Sequence, residues 1–384
     1  METKIRFATA IFDFSKKKGG AERYLVDLCA RMASEGHEVH VFTERWEEGH
    51  GIHFHPVKAL LFPKSLRLLS FATRATKEIE KGNYDITLGV GNTLKADVLQ
   101  PHGGVHWGWF WRSLRAYDNP MMWTLKFLGR ILSLKQWVSG WIEDTPYKKE
   151  NHRKIIAISD MVKQDILRWY KIPEDRIIVI YNGVDIERFH PRNRQYREEI
   201  RKRHNIGEET VILFVSHNFR MKGLGYLMKA LAIIKREGYP PFKLLVLGRD
   251  RQIPYIRLAK KIGISREIIF VGSTDQPEKY YGAADLLAHP TCYDACSLTV
   301  LEGVASGLPV ITTSSNGASG IIRHGEDGWV IQQPEDVNQL SLAIKHCCSP
   351  SFHRGREGAK VYSEEINFDK VTAIFKDLLN QKQG

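Results

Sequence analysis

Two successive series of short apolar runs, each run separated from the next by a helical pattern, dominate this 384-residue chain. The first series places strands at Lys4 to Ile11, Glu38 to Thr43, Ile86 to Val90, Ala96 to Leu99, Ile155 to Ile158 and Ile177 to Ile180. Gly19-Gly20 opens a helix with Leu25, Leu28, Cys29 and Met32 on one face, and Gly36 ends it. Ser159 is placed to cap another helix that ends near Tyr170. Strands that alternate with helices must pair in parallel, because a parallel neighbour is reached only through a crossover. Asn182-Gly183 is a turn signal, and from His190 to His204 the chain turns charged and loses the strand pattern. A second series then begins. Its strands are Val211 to Ser216, Leu244 to Leu247, Ile268 to Val271, Leu286 to Ala288 and Val310 to Thr312. Its helices are Gly223 to Arg236, Pro254 to Ile262, Pro277 to Ala283 and Leu298 to Ser306. The pattern predicts an α/β protein of two Rossmann-like, doubly wound domains, 1–189 and 190–366. A last helix within 367–384, apolar from Phe368 to Leu379, is expected to return towards the first domain. Ligands in such sheets bind beyond the carboxyl ends of the strands, so two facing domains would enclose a central cleft.

Composition removes several classes. Apolar residues make up 43% and charged residues 26%, as in globular domains, which excludes wholesale disorder. No run of about 18 apolar residues occurs, so no spanning helix is expected. The first apolar stretch is broken by Asp13 and lacks a cleavage site, so no signal peptide is expected. Cys29, Cys292, Cys296, Cys347 and Cys348 form no Cys-x-x-Cys pair, as expected of free thiols in a reducing cytosol. The formal charge of +12 favours anionic partners: phosphorylated substrates, acidic lipid headgroups or nucleic acid. Only the charge supports nucleic acid, and none is expected.

The densest chemistry lies in Pro290-Thr-Cys-Tyr-Asp294-Ala-Cys-Ser297-Leu298-Thr-Val-Leu-Glu302. It follows a strand, Ser297 can cap the next helix, and Asp294 stays in the loop with Glu302 about one turn inside. Free N–H groups at that helix start suit a phosphate, and Glu302 sits where a carboxylate can grip a ribose diol. An ordinary strand-loop-helix with solvated carboxylates fits the same spacing. Lys222, in Arg220-Met-Lys222-Gly223, opens the first helix of the second series. A cation there opposes the macrodipole unless an anion binds, and Arg220 adds to that field. Gly19 and Gly20 permit close approach of a ligand to the backbone. Neither Asp-x-Asp, His-Glu-x-x-His nor a paired Cys/His set appears, so no metal is expected, and no phosphate loop of the Gly-x4-Gly-Lys type occurs.

Taken together and in order, these segments resemble the retaining glycosyltransferases of family 4, which have the GT-B fold. The likeness rests on Gly19-Gly20-Ala-Glu-Arg23, on Asn182-Gly-Val-Asp185 with Phe189 and Pro191, on Arg220 to Gly223, and on Asp294-x7-Glu302. In motif style it is nearest to the lipopolysaccharide core glucosyltransferases. The resemblance implies a nucleotide-sugar held mainly by the second domain, as a substrate, with no cofactor. Lys222 and Arg220 would take the diphosphate, with Gly19, Gly20, Ser297 and Leu298 contributing to the donor site, and Glu302 would take the ribose. Asp294 and His102 would hold the sugar, so the catalytic set it implies is His102, Asp294 and Lys222. For His102, in Gln100-Pro-His102-Gly-Gly104, it implies a hydrogen bond to a sugar hydroxyl, and His106 competes for that role. The chain departs from the family at His217, where an Arg is usual, and at Asp294, where Glu is usual. The implied activity is metal-independent transfer of a hexose, from a UDP-sugar, to a glycolipid or polysaccharide of the cell envelope with an α-linkage. No enzyme nucleophile is evident, so attack assisted by the leaving phosphate is expected.

Six of the nine tryptophans lie between Trp107 and Trp141, and nine Lys/Arg against four acids occupy residues 107–154. Such a segment suits an interfacial contact with anionic lipid, an acceptor groove for a phosphorylated glycolipid, or a helical pair packing its aromatics inward. The expected location is the cytoplasm, with peripheral contact at the inner face of the cytoplasmic membrane. Two rival readings are weighed. Glu44, after the second strand, imitates the acid that holds the ribose of NAD in an oxidoreductase, but the first loop lacks Gly-x-Gly-x-x-Gly. A non-catalytic relative, lectin-like or a membrane adaptor, would explain Asp294 and His217.

Overall fold

The computed structural model describes residues 4–16, 19–349, 352 and 362–383. The chain divides into two units: one of residues up to Phe110, Thr124–Tyr181 and from Phe368 on, the other of Trp111–Trp123 and Asn182–Asn367.

In the first unit, β1 (Arg6–Phe14), α1 (Gly20–Ser34), β2 (Glu38–Trp46), β3 (Ile52–Pro56), α2 (Lys64–Lys81), β4 (Ile86–Gly89) and β5 (Val98–Leu99) come first. They are followed by α3 (His106–Arg112) up to Phe110, α4 (Pro120–Ile131) from Thr124 on, α5 (Leu134–Asp144), β6 (Lys154–Ala157), α6 (Asp160–Tyr170) and β7 (Ile177–Val179). The sheet order is β3-β2-β1-β4-β5-β6-β7, and every pairing is parallel. β1 is apolar almost throughout because both of its faces are covered, which the register Phe7↔Val39 and Phe7↔Ile86 makes explicit. α1 buries Leu25, Leu28, Cys29 and Met32, the stripe expected from the sequence. Ser159 caps α6 by accepting from the Val162 N–H at 3.2 Å.

The second unit contains α7 (Arg197–Arg203), β8 (Thr210–Val215), α8 (Leu224–Arg236), β9 (Phe242–Leu247), α9 (Ile253–Ile262), β10 (Ile268–Gly272) and α10 (Pro277–Ala283). It continues with β11 (Leu286–His289), α11 (Leu298–Ala305), β12 (Val310–Thr313), β13 (Gly328–Ile331) and α12 (Val337–Cys347). Its sheet, β10-β9-β8-β11-β12-β13, is parallel throughout, with strands ordered 3-2-1-4-5-6. The strand order reverses between β8 and β11.

Three features depart from the sequence reading. Two edge strands, β3 and β13, were not expected: Ile-His-Phe-His-Pro and Gly-Trp-Val-Ile are too short or too polar to read as buried runs. The seam falls at Tyr181/Asn182 instead of 189/190, because Asn182 donates to the Cys296 carbonyl and Val184 bridges to Ser363. Residues 111–123 belong to the second unit: the Tyr226 hydroxyl donates to the Arg115 carbonyl at 2.7 Å, and Lys229 pairs with Asp118 at 2.5 Å.

The last helix, α13 (Glu364–Gln383), belongs to the first unit from Phe368 on. Val371 and Phe375 are fully buried in the core of that unit, and Phe375 stacks on Phe7 at 5.5 Å. Phe375→Ala should cost roughly 3–5 kcal/mol, the usual toll of deleting a buried aromatic. A lower denaturant midpoint measures it, and an unchanged midpoint would show the helix to be dispensable.

Candidate active site

Lys222 follows β8 and Asp294 follows β11, the two strands at the reversal point of the second sheet. The turn that carries Lys222 is pinned by its neighbour. Gly223 has φ of 78°, and a Cβ there would lie 2.0 Å from the Pro290 carbonyl oxygen. Only glycine lets the two loops meet so closely. The Cys292 N–H donates to the Met221 carbonyl at 2.8 Å, and the Thr291 hydroxyl to the same oxygen at 3.2 Å. Lys222 Nζ thereby reaches Asp294 Oδ2 at 2.5 Å and the Tyr293 carbonyl at 3.2 Å. The Asp294 backbone is held on its other side, its N–H donating to Ser315 O and its carbonyl accepting from the Gly317 N–H. Burial raises the Asp294 carboxyl, but Lys222 and the nearby His289 imidazole outweigh it and hold the group well below the usual carboxylate range.

Ser297 occupies the N-cap position of α11 without the expected cap bond. Its hydroxyl lies 3.4 Å from His289 Nε2 instead, and its N–H donates to Asn316 Oδ1 at 3.3 Å. Asn316 thus takes the N–H of the N-cap residue itself, and no side chain of Ser297 caps the first turn of α11. Glu302, one turn into α11, accepts a hydrogen bond from the Tyr281 hydroxyl at 2.6 Å. Tyr281 is fully buried against Phe189, and burial followed by the Glu302 charge pushes its hydroxyl well above the ordinary phenol value. It therefore stays a donor and fixes the carboxylate. Lys222, Asp294, Ser297, Leu298 and Glu302 thus stand on one end of one sheet.

Arg220 is directed elsewhere. Its guanidinium lies 5.1 Å from the Tyr117 ring centroid, and it acts on Asp118 and Tyr255. His217, at the family's arginine position, accepts from the Arg249 N–H at 3.1 Å. Tyr281 and His289 were missed by sequence reasoning. The signal for His289 was its place at the carboxyl end of a strand, just before Pro290.

In the first unit, Gly19 is the extended N-cap of α1 (φ −155°), which starts at Gly20. Tyr24, one turn on, lies 4.3 Å from the His102 ring, and Gln100 donates to the Tyr24 hydroxyl at 3.0 Å. The start of α1 and His102 are therefore neighbours. Burial pushes His102 down to about 3, so the imidazole is neutral, and its Nε2 is buried with no partner among the described residues. His106 packs against Trp107 at 5.2 Å and Trp109 at 5.9 Å, and burial with Arg130 lowers its pKa, which makes it part of the aromatic packing. Glu44, the residue that imitated an NAD-binding acid, is paired with Arg67.

The tryptophan-rich segment splits. Trp107 packs against Gly140 and Trp169 and Trp109 lies under Arg130, whereas Trp111, Trp123, Trp137 and Trp141 are exposed and α4 buries no residue. Among the described residues no helix is long and apolar enough to cross a membrane, and no group of three or more His, Cys, Asp or Glu could hold a metal ion. Gly223→Ala should cost roughly 2–4 kcal/mol, since its strain and clash lie on backbone that cannot swing away. A fall in the thermal midpoint checks this, and an unaltered midpoint would contradict the close approach.

Two family models match the chain: Glycosyltransferase Family 4 over residues 18–188, and Glycosyl transferases group 1 over 196–351. An uncharacterized glycosyltransferase of Methanocaldococcus jannaschii, MJ1607, is 27% identical across 86% of this chain and 85% of its own length. The lipopolysaccharide glucosyltransferase WaaG of Escherichia coli is 24% identical across 90% and 91%. The crystal structure of WaaG matches with a TM-score of 0.76 at 21% identity, covering 96% of this chain and 99% of that one. HepE of Anabaena, solved in complex with UDP and glucose, matches with a TM-score of 0.67 at 16% identity, covering 97% and 100%. Its two parallel Rossmann-like sheets and the paired family domains make this chain a glycosyltransferase of the GT-B fold, related to WaaG.

Proposed function

We propose that the chain moves a hexose from a UDP-sugar to a glycolipid or polysaccharide acceptor of the cell envelope, retaining anomeric configuration and using no metal. The observation that carries this is the Lys222–Asp294 pair set beside Glu302 at the reversal point of the second sheet. UDP as the carrier is supported by HepE, solved with UDP and glucose, and a hexose on an envelope acceptor by the name of WaaG.

Breaking the bond between the anomeric carbon and the diphosphate loads negative charge onto the leaving oxygens. Lys222 Nζ, with the amides at the start of α11, supplies fixed positive charge for it. Arg220, held over Tyr117, adds to the field near the start of α8. Glu302, braced by Tyr281, takes the ribose diol, and Asp294 takes sugar hydroxyls as an ionised acceptor. His102, neutral and with Nε2 unpartnered among the described residues, suits a hydrogen bond to a sugar hydroxyl, and Gly19 and Gly20 leave room for a ligand against the backbone. Asp294 is a poor nucleophile while Lys222 stabilises its charge, so the acceptor hydroxyl attacks on the face the diphosphate leaves, and the diphosphate takes its proton. Trp137 and Trp141, exposed on α5, with Arg112, Lys126, Arg130 and Lys135 nearby in the chain, suit docking on anionic lipid at the inner face of the cytoplasmic membrane.

Two outcomes test this. UDP-glucose turnover should persist in EDTA, and Lys222→Ala should lower it at least tenfold, about 1.4 kcal/mol of barrier; turnover abolished by EDTA, or indifferent to Lys222, contradicts the reading. Trp137→Ser with Trp141→Ser should weaken partitioning onto phosphatidylglycerol vesicles in protein that keeps its native circular dichroism, and undiminished partitioning removes the membrane contact.

A further inference from the structure

Lys222 carries two obligations that conflict. In the structure its ammonium neutralises Asp294 at 2.5 Å. In the reaction proposed above, on which this inference rests, the same ammonium is drawn towards a leaving diphosphate. Withdrawing it would strand a poorly solvated carboxylate, and a buried charge that loses its partner is strongly destabilised.

A second donor stands behind the pair. His289 ends β11 and is 1% exposed. Its Nε2 lies 3.8 Å from Asp294 Oδ2 and 3.4 Å from Ser297 Oγ, at the edge of hydrogen-bonding range. Its Nδ1 is buried with no partner among the described residues. The ring is held in place: it stacks against Phe214 on β8 at 6.2 Å, and the His289 carbonyl accepts from the Thr312 hydroxyl at 3.0 Å. The ionisable groups that act on it are Asp294 and Lys222.

A bare Nδ1 in an apolar setting tells which tautomer the ring adopts. Protonating Nδ1 would bury an N–H with no acceptor, so the proton belongs on Nε2, aimed at Asp294 and Ser297. Burial lowers the His289 pKa, with Lys222 acting in the same direction and Asp294 opposing, so the imidazole stays neutral in the free protein. We infer that His289 is a positioning residue of the donor site, whose Nε2–H closes onto Asp294 when the diphosphate claims Lys222 and so keeps that carboxylate ionised and aimed at the sugar. Contacts that are loose in a free enzyme commonly tighten in this way on binding.

The sign of the pH effect follows. Without the Nε2–H, Asp294 in the donor complex loses a stabiliser of its charged form, its pKa rises, and the acid limb of activity moves to higher pH. His289→Leu should lower kcat/KM for UDP-glucose at least tenfold and move that limb up by at least one pH unit, while UDP affinity by calorimetry changes less than threefold. His289→Gln, whose amide can donate from the place of Nε2, should recover much of the loss and restore the limb. An unmoved limb, or Gln no better than Leu, overturns the inference. A readout independent of turnover is the nitrogen resonance of His289 in histidine-labelled protein, assigned by its loss in His289→Gln. A neutral Nε2–H form at pH 7.5 is expected, and a protonated ring or an Nδ1–H form there overturns the inference whether or not UDP-glucose is a substrate. Absence of UDP-glucose turnover in the unsubstituted protein, with the expected resonance, would count against the donor assignment and leave the tautomer argument standing.

Discussion

The contact between Gly223 and the Pro290 carbonyl governs the rest of the candidate site. It brings the loop after β8 against the loop after β11, and Lys222 meets Asp294 as a consequence. Two backbone segments cannot approach so closely with a side chain between them, and glycine also meets the φ of 78° without strain. The backbone bond from Cys292 to Met221 and the clamp of Asp294 between Ser315 and Gly317 lock the geometry from both sides. A flexible lysine at the end of this chain of contacts becomes a well-placed cation.

Around that pair the protein arranges fixed donors. Tyr281 fixes Glu302 with a hydroxyl that burial prevents from ionising, and His289 stands behind Asp294 as a neutral imidazole. Asn316 threads the site: its side chain accepts from the Ser297 and Ala318 amides and donates to Thr312, whose hydroxyl in turn donates to the His289 carbonyl. Charges that must stay ionised in a poorly hydrated place are thereby supplied with partners, which is what electrostatic preorganisation requires. Asp in place of the family's Glu at position 294 fits this arrangement, since the shorter carboxylate already lies in contact with Lys222.

The sheets were legible because buried parallel strands are nearly continuous apolar runs: β1, β8 and β11 read directly, as did the stripe of α1. The edge strands were not, since β3 alternates histidine with apolar residues and one of its faces is wet. The places of Lys222, Asp294 and Glu302 after β8, after β11 and within α11 were legible from the strand-loop-helix pattern, whereas the roles expected of them came from the family resemblance. Tyr281 and His289 were not, because each acts through a partner in another element, and burial and orientation do not show in local pattern. Ser297 illustrates the limit: a serine at a helix start predicts a cap, but its hydroxyl instead faces His289 while Asn316, nineteen residues on, takes its amide. The aromatic segment mixed two uses in one stretch, with Trp107 and Trp109 packed inward and Trp137 and Trp141 facing out.

A crystal structure of the chain with UDP-glucose tests the central claim most directly. The account predicts the diphosphate at Lys222 and the start of α11, the ribose on Glu302, and the hexose against Asp294. A nucleotide seated away from Lys222 and Glu302, with the Lys222–Asp294 pair undisturbed, would contradict it.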